Sequence, residues 1–235
     1  EGSSAQKAGI QPGDILMSVN GTYTHGMTLD QVSPLLRGEQ GTKVTVSVRR
    51  ATGGYTYVLE RKYIDISNFS SRVLEDGIYY MKWTRFAETT SYLQFVFAIK
   101  DLVENQCGVL ILDLRGNPGG SLDAVVKIAR KLLPEGMIVY TEDKAGKRTE
   151  YTCDGKTPLE VPLVVLVDMN SASASEILAG AIQDYGVGTL VGTTTFGKGI
   201  VQQIMPFTDG SAIKITISAY YTPNGRNIHG TGIEP

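Results

Sequence analysis

Two short segments gather the residue types that nucleophilic catalysis needs. The first is Asp168-Met169-Asn170-Ser171-Ala172-Ser173-Ala174-Ser175-Glu176-Ile177, where an apolar run stops, small residues turn the chain and a helical pattern begins. Small side chains let a ligand approach the backbone, and a helix start presents N–H groups that lack intrahelical acceptors and carry positive partial charge. A serine at such a junction is exposed, and the amide after it can stabilise a developing oxyanion. Serine also caps helices for reasons unrelated to catalysis, and this segment alone leaves both readings open. The second segment is Thr193-Thr194-Thr195-Phe196-Gly197-Lys198-Gly199-Ile200-Val201-Gln202, in which one lysine lies among small and apolar residues. Burial, or a neighbouring helix N-terminus, would favour its neutral amine, which can deprotonate a serine hydroxyl. A flexible glycine loop with a solvated lysine fits the same residues. A phosphate loop does not, because the Gly-x-x-x-x-Gly-Lys-[Ser/Thr] spacing is absent. A third turn, Arg115-Gly116-Asn117-Pro118-Gly119-Gly120, either supplies another inward amide or simply reverses the chain.

Other chemistries find little support. A serine–histidine–aspartate triad needs a histidine, and neither His25 nor His229 has a flanking signature. With cysteine only at positions 107 and 153, a disulfide scaffold is excluded, and with histidine only at 25 and 229 a zinc site is not expected. Cys107 precedes the apolar run 108–112 and reads as a core thiol; Cys153 sits in a polar stretch, and a bridge between them stays open. The 22 Lys+Arg against 24 Asp+Glu give a net charge of −2, without the basic surface that nucleic acid requires. No apolar run approaches the roughly 20 residues of a membrane span, and these residues contain no signal-peptide pattern. The chain opens abruptly at Glu1, which leaves room for an upstream targeting segment.

These segments must be positioned by the elements around them. Up to about Lys62 the pattern is that of a small mixed domain. Ala8 to Asp14 is a turn, Ile15 to Val19 a strand closed by Asn20-Gly21, and Thr28 caps a helix bearing Leu29, Val32, Leu35 and Leu36. Lys43 to Arg50 alternates with period two, and Tyr55 to Tyr63 gives another strand. Residues 63–76 are largely polar and read as a linker. From residue 77 strands and helices alternate, as in an α/β core. Strands are expected at 77–83, 108–114 and 161–167, and helices at 89–105, 121–133 and 173–185. The first helix is expected to use Leu93, Val96, Phe97 and Val103 as its inner face, with Lys100 the exception. A hairpin spans 137–152, and the last third is rich in strands, clearest at 202–206 and 212–221.

Taken together, these motifs resemble the carboxyl-terminal processing (tail-specific) proteases, serine endopeptidases with a serine–lysine dyad and an appended PDZ domain. Ala8-Gly9-Ile10-Gln11-Pro12-Gly13-Asp14-Ile15-Leu16 through Asn20-Gly21 is similar to the middle of a PDZ domain. Leu112-Asp113-Leu114-Arg115-Gly116-Asn117-Pro118-Gly119-Gly120 is similar to the family's oxyanion turn, and the serine- and lysine-bearing segments to its nucleophile and base motifs. The resemblance implies Ser173 as nucleophile and Lys198, 25 residues on, as general base. It implies Gln202 as the glutamine that orients the lysine, and the backbone N–H groups of Gly119 and Ala174 as oxyanion donors. Asp184 reads either as a supporting residue or as a plain surface carboxylate.

The implied architecture is a crotonase-like/ClpP-like α/β protease core over 77–235, ending short of the family's C-terminal extent, behind an N-terminally truncated PDZ domain over 1–62. The helix from Thr28 to Leu36 would form one wall of a peptide groove whose other side is incomplete. Substrates would be proteins or peptides with exposed C-terminal tails, with no metal, no organic cofactor and no nucleic acid; oligomers are allowed. Membrane anchoring would come only from segments outside this chain, and the location would be extracytoplasmic, on the periplasmic or cell-surface side of a bacterial membrane. The main alternative is a latent or inactive PDZ-based binding or scaffolding protein. An acyl-CoA enzyme of the crotonase-like fold would leave the Ser173–Lys198 pair unexplained.

Overall fold

The computed structural model describes residues 3–63, 67–156 and 158–235. Two compact units divide the chain, residues 1–66 and 67–235. In the first, α1 (Ser4–Ala8), β1 (Ile15–Val19), β2 (Thr22–Tyr23), α2 (Leu29–Leu36), β3 (Lys43–Arg50) and β4 (Gly53–Glu60) build an antiparallel sheet of order β2-β1-β3-β4. The alternation in β3 turns Val44, Val46 and Val48 into a small core with Val19 and Leu59. Asn20 and Gly21 both take positive φ (49° and 84°), as a type I′ hairpin turn requires. The Ala8–Asp14 turn is pinned by Asp14, whose carboxylate accepts both Nε (2.8 Å) and Nη2 (2.6 Å) of Arg50. Thr28 and Gln31 close a reciprocal capping box on α2.

The second unit contains β5 (Phe69–Val73), β6 (Ile78–Trp83), α3 (Ser91–Glu104), β7 (Val109–Asp113), α4 (Leu122–Ala129), β8 (Gly136–Asp143), β9 (Arg148–Cys153), β10 (Leu163–Val167), α5 (Ala174–Tyr185), β11 (Thr189–Gly192), β12 (Ile200–Pro206) and β13 (Ala212–Tyr221). One sheet has the order β11-β10-β7-β6-β5, parallel except for the edge pair β5–β6. A second, antiparallel sheet has the order β12-β13-β8-β9. β7 and β10 lie side by side in the first sheet, so the turns leaving their C-terminal ends are neighbours. Open parallel sheets bind ligands at that end.

Three expectations are corrected. Residues 69–73, within the polar stretch read as linker, form β5; Phe69 pairs with Trp83 and packs its ring 4.6 Å from the indole. Residues 64–66 of the same stretch lie outside the described residues. The inner face of α3 is Ser91, Phe95, Ala98 and Leu102, whereas Leu93, Val96, Phe97 and Val103 are exposed. Lys100, the exception in the sequence pattern, marks the solvent side and pairs with Glu104 at 3.5 Å. Both cysteines are buried and free, including Cys153, whose sulfur donates to Leu133 O at 3.3 Å in a pocket the polar sequence did not announce. The four-residue β11 was not expected. Among the described residues no helix is long and apolar enough to cross a membrane.

Candidate active site

Ser173 sits where β10 gives way to α5, in a conformation that ordinary capping does not need. Ser3, Thr28 and Ser121 cap their helices from extended backbone, with φ between −77° and −67° and ψ between 121° and 163°. Ser173 has φ 57° and ψ −116°. A non-glycine residue held there stores on the order of 1–3 kcal/mol, and persists only where its surroundings over-determine it. That argues against the plain-cap reading.

The surroundings are the turn that leaves β7. Ala172 N–H and the Ser175 hydroxyl both donate to Asn117 O at 3.0 Å, and the Ser171 hydroxyl donates to Leu114 O at 2.8 Å. Gly119 comes so close that a Cβ there would lie 2.6 Å from Ala172 O and 2.8 Å from Ala174 N. Only glycine, at φ 99°, fits against the serine turn.

Lys198 is brought to the same place by a buried carboxylate. Glu176, fully buried on the first turn of α5, accepts the backbone N–H of Ser173 (2.8 Å) and of Lys198 (2.9 Å) on one oxygen, Oε2. Its other oxygen accepts the Thr195 hydroxyl and Gly197 N–H, each at 2.6 Å. These donors satisfy a buried carboxyl group that forms no ion pair among the described residues. Phe196 N–H adds a bond to Ser171 O at 3.0 Å.

The lysine segment is therefore not a loose glycine loop. Gly197 and Gly199 are small because the backbone of residues 229–232 packs against them; a Cβ on Gly199 would lie 2.7 Å from His229 N. Lys198 is half-buried, and among the described residues no carboxylate lies within ion-pair distance of its amine.

The remaining expected residues are placed less uniformly. Ala174 is the first residue of α5, and among the described residues its N–H has no acceptor. The Gly119 N–H is occupied, donating to Asn117 Oδ1 at 2.9 Å, so it is not open to a substrate oxygen in this arrangement. Gln202 lies in β12 at a bulge between Val201 and Gln202, and its side chain makes no hydrogen bond among the described residues. Bulges of this kind re-aim side chains beside active sites. Asp184 stands at the far end of α5 from Ser173, where it accepts Asn224 N–H at 2.8 Å and pairs with Arg226. These bonds tie the end of α5 to the turn after β13.

Glu176, Thr195 and Asn117 were not assigned roles from sequence. Glu176 carried a signal, Ser-x-x-Glu at a helix start, which is the capping-box spacing. Thr195 and Asn117 carried none, because their partners are distant in the chain.

Two carboxylates hold the turns in place. Asp113, fully buried at the end of β7, accepts from Arg115 Nε (2.9 Å), Nη2 (2.8 Å) and N–H (3.0 Å), and from the Tyr80 hydroxyl at 2.6 Å. Burial pushes its carboxyl up, but the Arg115 and Tyr80 hydrogen bonds outweigh that and hold it below the usual range. Asp168, at the end of β10, accepts Gly116 N–H at 3.0 Å and Asn170 N–H at 2.9 Å; these bonds outweigh burial and also lower it.

The first unit offers a separate recess of about 380 Å³. Leu36, Val44 and Leu59 supply apolar lining, and Arg37, Arg61 and Lys62 stand at it as cations. Arg61 already donates to Leu36 O at 2.8 Å. Among the described residues no group of three His, Cys, Asp or Glu side chains gathers as a metal site.

Known proteins match this chain over its whole length. The profile described as "Peptidase family S41" matches residues 62–235, and a PDZ domain profile matches residues 1–50. A carboxyl-terminal-processing protease of Synechocystis sp. is 39% identical, with 100% of this chain and 56% of the relative covered. The carboxy-terminal processing protease CtpA of Bacillus subtilis is 36% identical, with 100% of this chain and 51% of the relative covered. The chain thus spans about half the length of the curated relatives it matches. Among solved structures, a photosystem II D1 C-terminal processing protease superposes with TM-score 0.69 at 33% identity, covering 100% of this chain and 65% of that one.

Proposed function

Because the chain belongs to peptidase family S41 and carries a PDZ domain, we propose that it is a serine endopeptidase working through Ser173 and Lys198 on proteins with exposed C-terminal tails. The observation that carries this reading is the single oxygen of Glu176 that receives the N–H groups of both residues, 25 positions apart in sequence. Lys198, uncharged at the moment of attack, takes the hydroxyl proton while Ser173 Oγ bonds to the peptide carbonyl carbon. The resulting oxyanion meets the Ala174 N–H, and Gly119 N–H joins once it exchanges Asn117 Oδ1 for the substrate oxygen. Collapse breaks the C–N bond and the leaving amine takes the proton from Lys198. Lys198 then takes a proton from water, the resulting hydroxide adds to the acyl carbon, and as the C–Oγ bond breaks Lys198 gives the proton back to Ser173 Oγ. Gln202 is assigned the task of orienting the amine; its position beside a bulge in β12 is compatible with that role. The PDZ unit selects the tail, its carboxylate meeting cationic and amide donors and its apolar side chains a recess. The work site is outside the cytoplasm.

The test is Lys198→Ala in the full chain. Cleavage of fluorescently labelled casein and labelling of Ser173 by a fluorophosphonate should both vanish, with the thermal melt unchanged. Full cleavage by that variant refutes the base assignment. A latent state is the second reading, favoured by one contact, the Asn117 side chain on the Gly119 amide. Latency predicts stoichiometric labelling of Ser173 that is fast only when a C-terminal peptide is added.

A further inference from the structure

Glu176 braces the N–H side of the serine and lysine residues; their carbonyl side is braced by a residue the proposed mechanism does not use. The Tyr220 hydroxyl donates to Ser173 O at 3.2 Å and, more closely, to Lys198 O. Tyr220 is 2% exposed, at the end of β13, and its own N–H donates to Gly199 O at 3.0 Å. A buried phenol needs a partner for its O–H, and here both acceptors are main-chain atoms of the two residues that must meet. Burial, with the nearby Glu176 carboxylate second, raises the phenol well above its ordinary range, so it stays a donor across the working pH span.

We propose that Tyr220 is a positioning residue for the dyad: its hydroxyl spans the carbonyls of Ser173 and Lys198 and fixes the distance between hydroxyl and amine. The two braces are complementary. A carboxylate accepts, and it takes both N–H groups; the phenol's one O–H is shared between the two C=O groups. The four-point frame ties the strained turn at Ser173 to a segment that has no helix or strand of its own. Tyr221, the next residue, makes no such contact and stacks on Tyr140 at 4.9 Å. A phenylalanine at 220 would fill the same space without the bridge.

This inference rests on the serine–lysine reading, and the experiment separates the two. Tyr220→Phe, Thr222→Val and Lys198→Ala are compared in the full chain with fluorescently labelled casein as substrate and a fluorophosphonate as serine probe. Thr222→Val removes another buried hydroxyl two residues on, one that accepts Arg226 N–H and, among the described residues, has no hydrogen bond to Ser173 or Lys198. Tyr220→Phe should lower kcat and the labelling rate by about 10- to 100-fold with KM unchanged, the signature of lost alignment. Thr222→Val should keep kcat even where its melting temperature falls as far. Wild-type kcat in Tyr220→Phe overturns the proposal, as does an equal loss of kcat in both variants. Retained cleavage in Lys198→Ala overturns the dyad reading itself, and this inference with it.

Discussion

Two serines begin helices after adjacent parallel strands, and the chain uses them in opposite ways. Ser121, after β7, has relaxed extended backbone, and its hydroxyl accepts Ala124 N–H at 3.2 Å. Ser173, after β10, is held at positive φ while a carboxylate from the first turn of α5 takes its N–H. The first junction is helix capping and nothing more. The second stores strain, and Glu176, Asn117 and Gly119 together keep it there. The lesson is that residue type at a helix start is ambiguous and backbone conformation is not. Backbone strain of this kind clusters at sites where a group must be held in one presentation.

Exchanging the serines tests this most severely. Ser173→Gly should reduce casein cleavage by at least about 10⁴-fold, as losing a nucleophile does. The same variant should be more stable, by about 1 kcal/mol in urea unfolding, because glycine adopts that φ without strain. Ser121→Ala should do the reverse, keeping cleavage and losing about 1 kcal/mol of stability. A Ser173→Gly protein that is less stable than wild type would mean that the positive φ is not strained, and the contrast between the junctions would fail.

The glycines of the β7 turn sharpen the contrast at a smaller scale. Gly116 and Gly119 both have positive φ, 72° and 99°, but a Cβ at Gly116 meets nothing within 4 Å while one at Gly119 strikes Ala172 O and Ala174 N. Gly116→Ala should cost about 1 kcal/mol of stability and leave kcat intact. Gly119→Ala should displace the serine turn and cut kcat roughly 10²-fold. Equal kcat in the two variants would show that the approach of the turns has no bearing on catalysis.

Much of this site was legible before the fold was known. The segments bearing Ser173 and Lys198 and the Gly116–Gly120 turn stood out because small residues and a lone cation interrupt apolar runs, a local signal that fits capping and a plain glycine loop as well; the choice of Ser173 and Lys198 within them came from the family resemblance. What was not legible depends on distance. Asn117 reaches Ser175, Thr195 reaches Ile233 and Glu176, and Tyr220 reaches Ser173, each across a span that no period records. The α3 face was misread for a related reason: two apolar stripes share the helix, and burial chose the one carrying Phe95, which packs near Trp83 at 6.2 Å. The strand Phe69–Val73 was missed because a polar edge strand needs only one apolar anchor, and Phe69 supplies it.

The same two junctions should separate in acid, with an effect read in stability alone. Asp113 and Asp168 terminate β7 and β10, and both carboxyls are held below their ordinary range. A depressed carboxyl contributes stability that is present above its unfolded pKa, about 3.9, and is lost as pH falls through the lower folded value. Urea unfolding between pH 7 and pH 2.5 should therefore show a decline that begins near pH 4 and continues below it. Asp113→Asn should lower stability at pH 7 by about 1–2 kcal/mol, with the gap to wild type closing as the acid is added. Asp168→Asn should show the same sign with a smaller gap, because Asp168 is only half-buried and water screens its bonds. A gap for Asp113→Asn that stays constant down to pH 2.5 would assign its contribution to shape rather than charge. The β7 junction would then be held by packing, leaving the β10 junction as the one place where the turns depend on an ionised group.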